Sequence, residues 1–134
     1  MSDSIFTKII KGEIPCQKVY EDDKTIAFMD IHPEVPGHVL VVPKIQIDHF
    51  DDLPDDYYQA VWETVRKIAK AQKKSFKPAR VGLKVVGLDV PHVHIHVLPF
   101  STEQEFRSIP DTSLEPDYKL LEIHARKIAE NIEM

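Results

Sequence analysis

The run His92-Val93-His94-Ile95-His96-Val97-Leu98-Pro99 carries an imidazole at every second position of its first five residues. Side chains alternate along an extended strand, so His92, His94 and His96 fall on one face while Val93, Ile95 and Val97 take the other. Imidazole is nucleophilic when neutral and donates hydrogen bonds readily, which leaves three chemistries open. The row can be a solvated polar face. It can hold a metal, with two histidines at i and i+2 ligating zinc and Asp89 or His38 as a third ligand. The outer pair, His92 and His96, stand roughly 13 Å apart along a strand, however, so all three do not reach one ion. Or it can be an anion site, in which a central imidazole attacks phosphorus and its neighbours hold the oxygens.

Composition narrows the choice. Among 134 residues there are seven His, four Gly and one Cys. The glycines at 12, 37, 82 and 87 form neither G-x-G-x-x-G nor G-x-x-x-x-G-K-[ST], which excludes a Rossmann or P-loop phosphate cradle. The lone Cys16 excludes an intramolecular disulfide and a four-cysteine zinc site, and it fits a reducing compartment. Seventeen basic against 22 acidic residues give a net charge of −5, which argues against a broad nucleic-acid face but not against one small anion in a local pocket. Met1 to Thr7 lacks the basic stretch and long apolar run of a signal peptide. The longest apolar runs, about five residues, fall far short of the roughly 20 that span a bilayer. The expectation is a cytoplasmic protein of one domain, residues 1–134, with neither a membrane nor a nucleic-acid polymer as partner.

Several elements must position the histidines. Ser4 to Gly12 reads as a short helix, with Ser4 as cap, Ile5, Phe6, Ile9 and Ile10 as the apolar face, and Gly12 as the stop. Cys16–Tyr20 and Thr25–Met29, around a polar turn, read as a hairpin. His38–Val42 follows as a third strand, ended by Pro43. From Pro54 to Phe76, apolar residues recur at three- and four-residue steps, with Asp55 and Asp56 at the start and Lys70, Lys73 and Lys74 near the end, as a long helix favours. Val81–Val86 and His92–Pro99 read as two more strands. Residues 100–112 are polar and irregular, and Pro116–Ile132 reads as a terminal helix. Five strands with helices between and after them predict an α+β domain around an antiparallel sheet.

His-Val-His-Ile-His-Val resembles the histidine-triad signature of the HIT superfamily. The resemblance extends over about residues 4–99, through Ile5-Phe6-x-Lys8-Ile9-Ile10-x-Gly12-Glu13-Ile14-Pro15, Val19-Tyr20-Glu21-Asp22-Asp23, Ala27-Phe28-Met29-Asp30-Ile31 and Pro36-Gly37-His38-Val39-Leu40-Val41-Val42-Pro43-Lys44. Residues 100–134 diverge. The resemblance implies a HIT-like fold: a five-stranded antiparallel sheet, a long central helix and a C-terminal helix. It also implies hydrolysis or transfer at the α-phosphate of purine nucleotide conjugates such as phosphoramidates or dinucleoside polyphosphates. His94 would be the nucleophile and form a nucleotidyl-histidine intermediate. The His92 carbonyl would fix the His94 tautomer, His96 would contact phosphate or leaving group, and His38 would support the triad. Asp30 would accept from the ribose hydroxyls, with Ile31 and Phe28 lining the sugar and base pocket and Ile5, Phe6 and Ile9 flanking the base.

This chain departs from the family pattern just ahead of the triad. Gly87 stands where Asn is usual, Asp89 where Ser or Thr is common, and the loop is shorter. Asp89, beside a phosphate, would repel it unless it orients an imidazole or points away. Some relatives carry a structural zinc held partly by paired cysteines; with Cys16 alone, neither that metal nor another cofactor is expected. Relatives are commonly homodimers, and the helix carrying Trp62 and the strand Val81–Val86 are the expected contacts. A nucleotide-binding module with little turnover, or a metal-binding protein built on the histidine strand, are the rival readings. His32, His49 and His124 are expected to be structural or solvent-exposed.

Overall fold

The computed structural model describes residues 2–133. Ser4 accepts a hydrogen bond from the Thr7 amide and starts α1 (Ile5–Ile10), and Gly12 follows at φ 79. The strands are β1 (Lys18–Glu21), β2 (Thr25–Met29), β3 (Val39–Pro43), β4 (Arg80–Lys84) and β5 (Ile95–Phe100). They form one antiparallel sheet in the order β1-β2-β3-β5-β4. The long α2 (Asp55–Phe76) lies between β3 and β4, and α3 (Glu103–Phe106) and α4 (Tyr118–Glu130) follow β5. The described residues thus form an α+β fold with a five-stranded antiparallel sheet, a long central helix and a C-terminal helix.

The sheet is covered on both sides, which is why β2 and β3 read as continuous apolar runs and every residue of each is buried. On one face Ala27, Met29, Val39, Val41, Ile95 and Val97 pack with Val61, Val65 and Ile68 of α2 and Leu121, Ala125 and Ile128 of α4. On the other, Ile26, Phe28, Leu40 and Val42 pack with Phe6 of α1. Directly opposed residues point the same way across a ladder. The pairings Lys18↔Phe28, Phe28↔Leu40, Leu40↔His96 and His96↔Lys84 therefore put one cross-strand row on the α1 side, with His96 in it.

The strand expected at His92–Pro99 begins only at Ile95. Val41↔Ile95 is the last β3–β5 pair, because Val42 and Pro43 pair only with β2. Upstream of it the Val93 amide donates to the Ile47 carbonyl at 2.7 Å, in the loop after β3. The alternation survives where the ladder does not. The expected strands at Cys16–Tyr20 and Val81–Val86 run instead over Lys18–Glu21 and Arg80–Lys84, and the terminal helix is shorter than Pro116–Ile132. The irregular stretch after β5 contains a helical turn, started by a capping box in which Thr102 and Glu105 satisfy each other's amides. That T-x-x-E signal was present in the sequence. Among the described residues no helix is long and apolar enough to cross a membrane.

Gly37 sets the approach to His38. Its φ is 88, and an added Cβ would lie 2.6 Å from the Phe76 ring of α2. Gly12, at φ 79, has open space around the same position. Gly12→Ala is therefore expected to cost only the left-handed strain, about 1 kcal/mol. Gly37→Ala adds a steric clash and should cost about 2 kcal/mol or more. Urea unfolding of the two variants side by side checks the difference.

Candidate active site

The histidines are held by a set of hydrogen bonds that fixes the proton on each ring. His92 is fully buried, and its Nε2 lies 2.8 Å from the Pro43 carbonyl, which can only accept. The proton is thus on Nε2, and Nδ1 accepts from the Ser4 hydroxyl at 2.7 Å. The His92 carbonyl takes the proton of His94 Nδ1 at 2.8 Å, so a neutral His94 presents the lone pair of Nε2. His38 Nδ1 accepts from the Glu34 amide at 3.1 Å, which leaves its Nε2–H to donate to His96 Nδ1 at 2.9 Å. His96 in turn carries its proton on Nε2. A nucleophilic nitrogen and an N–H donor stand side by side, with the His94 and His96 ring centroids 5.1 Å apart.

Three residues behind the rings had no functional signal in the sequence. Ser4, readable only as a helix cap, also orients His92. Gln46 anchors Ser4, its Oε1 accepting from the Ser4 amide at 2.8 Å and from the Thr7 hydroxyl at 2.7 Å. Gln72, fully buried on α2, donates from Nε2 to the carbonyls of Gly37 and Val97, both at 2.9 Å. Those carbonyls adjoin His38 and His96 in sequence, so Gln72 brackets the pair from the far side of the sheet. Its Oε1 is buried without a partner among the described residues, a cost that the two bonds from Nε2 offset.

Burial is the main influence on these rings. It pushes His38 down to about 3, helped by His96, and His96 down to about 4, helped by His94. It lowers His92 as well, against the bond to Pro43. Asp30 is raised by burial, although its Oδ1 accepts from the His32 amide at 2.9 Å.

Beside the rings lies a cleft of about 460 Å³. Every residue expected to bind substrate lines it: Ile5, Phe6, Ile9, Phe28, Asp30, Ile31 and Asp89, together with His94 and His96. His92 and His38 stand behind this surface. Ile5 and Ile31 remain 49% and 48% exposed, apolar walls that a flat ligand would cover. Ile14, Pro15, Cys16, Met29, Leu40, Val90 and Tyr118 complete the lining. Leu40 follows from its register opposite Phe28 and His96, whereas Tyr118 is brought from α4 by tertiary packing alone. The remaining histidines lie outside the cleft: His32 Nε2 meets the Leu114 carbonyl, His49 is exposed, and His124 packs edge-on against Phe76.

Asp30, His38 and His96 offer three ligand-type atoms within 4.8 Å of one another. Their hydrogen bonding does not suit a cation. Because His38 Nδ1 accepts from an amide, its Nε2 bears a proton rather than a lone pair, and a metal there would require an imidazolate or loss of the Glu34 bond. Within the trio the one hydrogen bond runs from His38 to His96, and Asp30 Oδ2 stands 3.6 Å from His38 Nε2.

Comparison with known proteins gives concordant results. A model of the HIT domain matches residues 11–103. A HIT-like protein of Methanocaldococcus jannaschii is 42% identical over 99 residues, which are 71% of this chain and 77% of that protein. An adenosine 5'-monophosphoramidase of Saccharomyces cerevisiae is 33% identical over 127 residues, 93% of this chain and 80% of the relative. The crystal structure of a Hit-like protein involved in cell-cycle regulation from Bartonella henselae superposes with a TM-score of 0.86 at 35% identity, covering 97% of this chain and 96% of that one.

The depressed imidazoles carry a stability consequence. Below the ordinary histidine range the unfolded chain binds protons that folded His38 and His96 refuse until about pH 3 and 4. For these groups, stability is present near neutrality and is lost as pH falls through roughly 6.5 toward those values. Ring signals of His38 and His96 should stay unprotonated from pH 8 to about 5 in an NMR titration. The urea midpoint should fall over the lower part of that range.

Proposed function

The chain belongs to the HIT (histidine triad) superfamily, and from that membership we propose that it hydrolyses or transfers the nucleotidyl group of purine nucleotide conjugates through a covalent nucleotidyl-histidine. The observation that carries this reading is the proton order of the rings. His94 offers Nε2 as a nucleophile, and His96 offers Nε2–H beside it, both at one end of an apolar cleft. Nε2 of His94 attacks the α-phosphorus, the bond to the leaving group breaks, and the leaving group takes a proton from solvent and departs. The His92 carbonyl stabilises the positive charge that develops on the His94 ring. The His96 N–H holds a phosphoryl oxygen or the leaving atom. Water then attacks phosphorus and loses a proton to solvent, the P–N bond to His94 breaks to restore the neutral imidazole, and the nucleoside monophosphate is released.

Asp30 serves the ribose. One carboxylate oxygen is engaged by the His32 amide, and the other is available for the hydroxyls. Ile5, Phe6, Ile9, Phe28 and Ile31 enclose the base. The monophosphoramidase activity named for the yeast relative makes a nucleoside phosphoramidate the first substrate to test.

A homodimer joined at the β4 edge is part of the same proposal. Among the described residues β4 pairs only with β5, and Leu83, Val85, Val86 and Leu88 on and after it are all exposed. An open apolar edge is where a second copy would add its own strand.

The wild type should hydrolyse adenosine phosphoramidate, and His94→Ala should lose roughly three or more orders of magnitude in kcat while still binding nucleotide. Binding by the wild type without turnover would instead identify a nucleotide-binding module. Light scattering should report twice the chain mass, with Val86→Lys shifting the equilibrium to monomer.

A further inference from the structure

The cleft has an unusual charge balance for a site that takes phosphate. Its lining includes the carboxylates of Asp30 and Asp89 and, among the described residues, no lysine or arginine. The nearest cation in the cross-strand row, Lys84 beside His96, is already committed. Its Nζ donates to Glu34 Oε1 and to the Phe106 carbonyl, both at 2.6 Å, and sits over the Phe106 ring. Neutral N–H groups can hold one singly charged phosphoryl group, but they cannot balance the several charges of a polyphosphate chain.

Asp30 and Asp89 occupy different parts of this balance. Asp30 is held by the His32 amide and belongs to the nucleoside side. Asp89 is exposed in the loop between β4 and the triad, and it lines the cleft with His94 and His96. Its charge reaches the reacting end, though less strongly than that of Lys84: burial, His94 and Lys84 lower the His96 imidazole, while Glu34 and Asp89 pull it the other way. A leaving group departing past His96 therefore meets a carboxylate with no neutralising side chain in the lining.

Building on the nucleotidyl-transfer reading, we propose that Asp89 selects the leaving group by charge, favouring amines that carry an additional ammonium over neutral ones and rejecting carboxylate- or phosphate-bearing ones. Dinucleoside polyphosphates are poor substrates on this basis. Through-solvent interaction at the rim of a cleft supports about three- to tenfold discrimination per unit of charge, weakening as salt is added.

The test uses the full chain and three adenosine phosphoramidates, whose leaving amines end in an ammonium, a methyl or a carboxylate, with a dinucleoside tetraphosphate as a fourth compound. The wild type should rank them in that order by kcat/KM. In Asp89→Asn the ratio of ammonium to methyl compound should fall to about 1, and in Asp89→Lys it should invert. Equal ratios in wild type and Asp89→Asn, or preference for the carboxylate compound, overturns the proposal. Failure of the wild type to cleave even the methyl compound overturns the nucleotidyl-transfer reading instead. The charge order is then read from displacement of a fluorescent adenosine nucleotide by the same compounds, where wild type and Asp89→Asn must still differ.

Discussion

The bond from His94 Nδ1 to the His92 carbonyl, 2.8 Å long, is the contact on which the rest of the site depends. It joins a side chain to the backbone two residues earlier, so it persists only if the peptide of His92 is immobile. The protein achieves that by burying the His92 ring completely and engaging both of its nitrogens, one with Pro43 at the end of β3 and one with Ser4 at the start of α1. Pro43 has no amide hydrogen to give to a ladder, and its carbonyl becomes the acceptor that orders the ring. The same serine caps α1, whose Phe6 ring stands 4.9 Å, centroid to centroid, from that of His94. Wall and nucleophile are thereby fixed to a common point.

A second pair of rings follows the same economy on the other side. His38 and His96 sit on adjacent segments, and their mutual bond requires one ring to donate and the other to accept. The Glu34 amide decides which, and burial keeps both neutral, since a charged ring could no longer take its part in the order. Gln72 and Phe76, one helical turn apart on α2, hold the backbone beside His38, one by a hydrogen bond to the Gly37 carbonyl and one by contact with Gly37. The long helix thus stabilises the core and, through the sheet, the geometry of a site that it does not line.

Much of this was legible in the residues themselves. The two-residue period of the histidines predicted a shared face, and that face survives even though β5 starts at Ile95. The long helix was readable from its spacing because its apolar stripe is continuous. Strand ends were read less well, since the end of a ladder depends on which neighbour offers the next amide, and that is a nonlocal fact. Asp30, Phe28 and the α1 residues were nominated through family resemblance, and the fold brings them into one cleft with His94 and His96.

By itself, then, the sequence determined the chemistry available: a row of imidazoles, no glycine cradle, one cysteine and an acidic balance. It also determined the elements, because hydrophobic period and capping are local properties. Tertiary structure alone decided which nitrogen of each ring bears the proton, because that depends on an acceptor 49 residues and a donor 88 residues away from His92 and on a partner 58 residues from His38. It alone recruited Gln46, Gln72 and Tyr118, whose side chains carry no pattern in the chain. It also left Asp89 at the cleft without a cation in the lining. Charge in a sequence is a count, whereas charge at a site is set by distance and by what else is already paired.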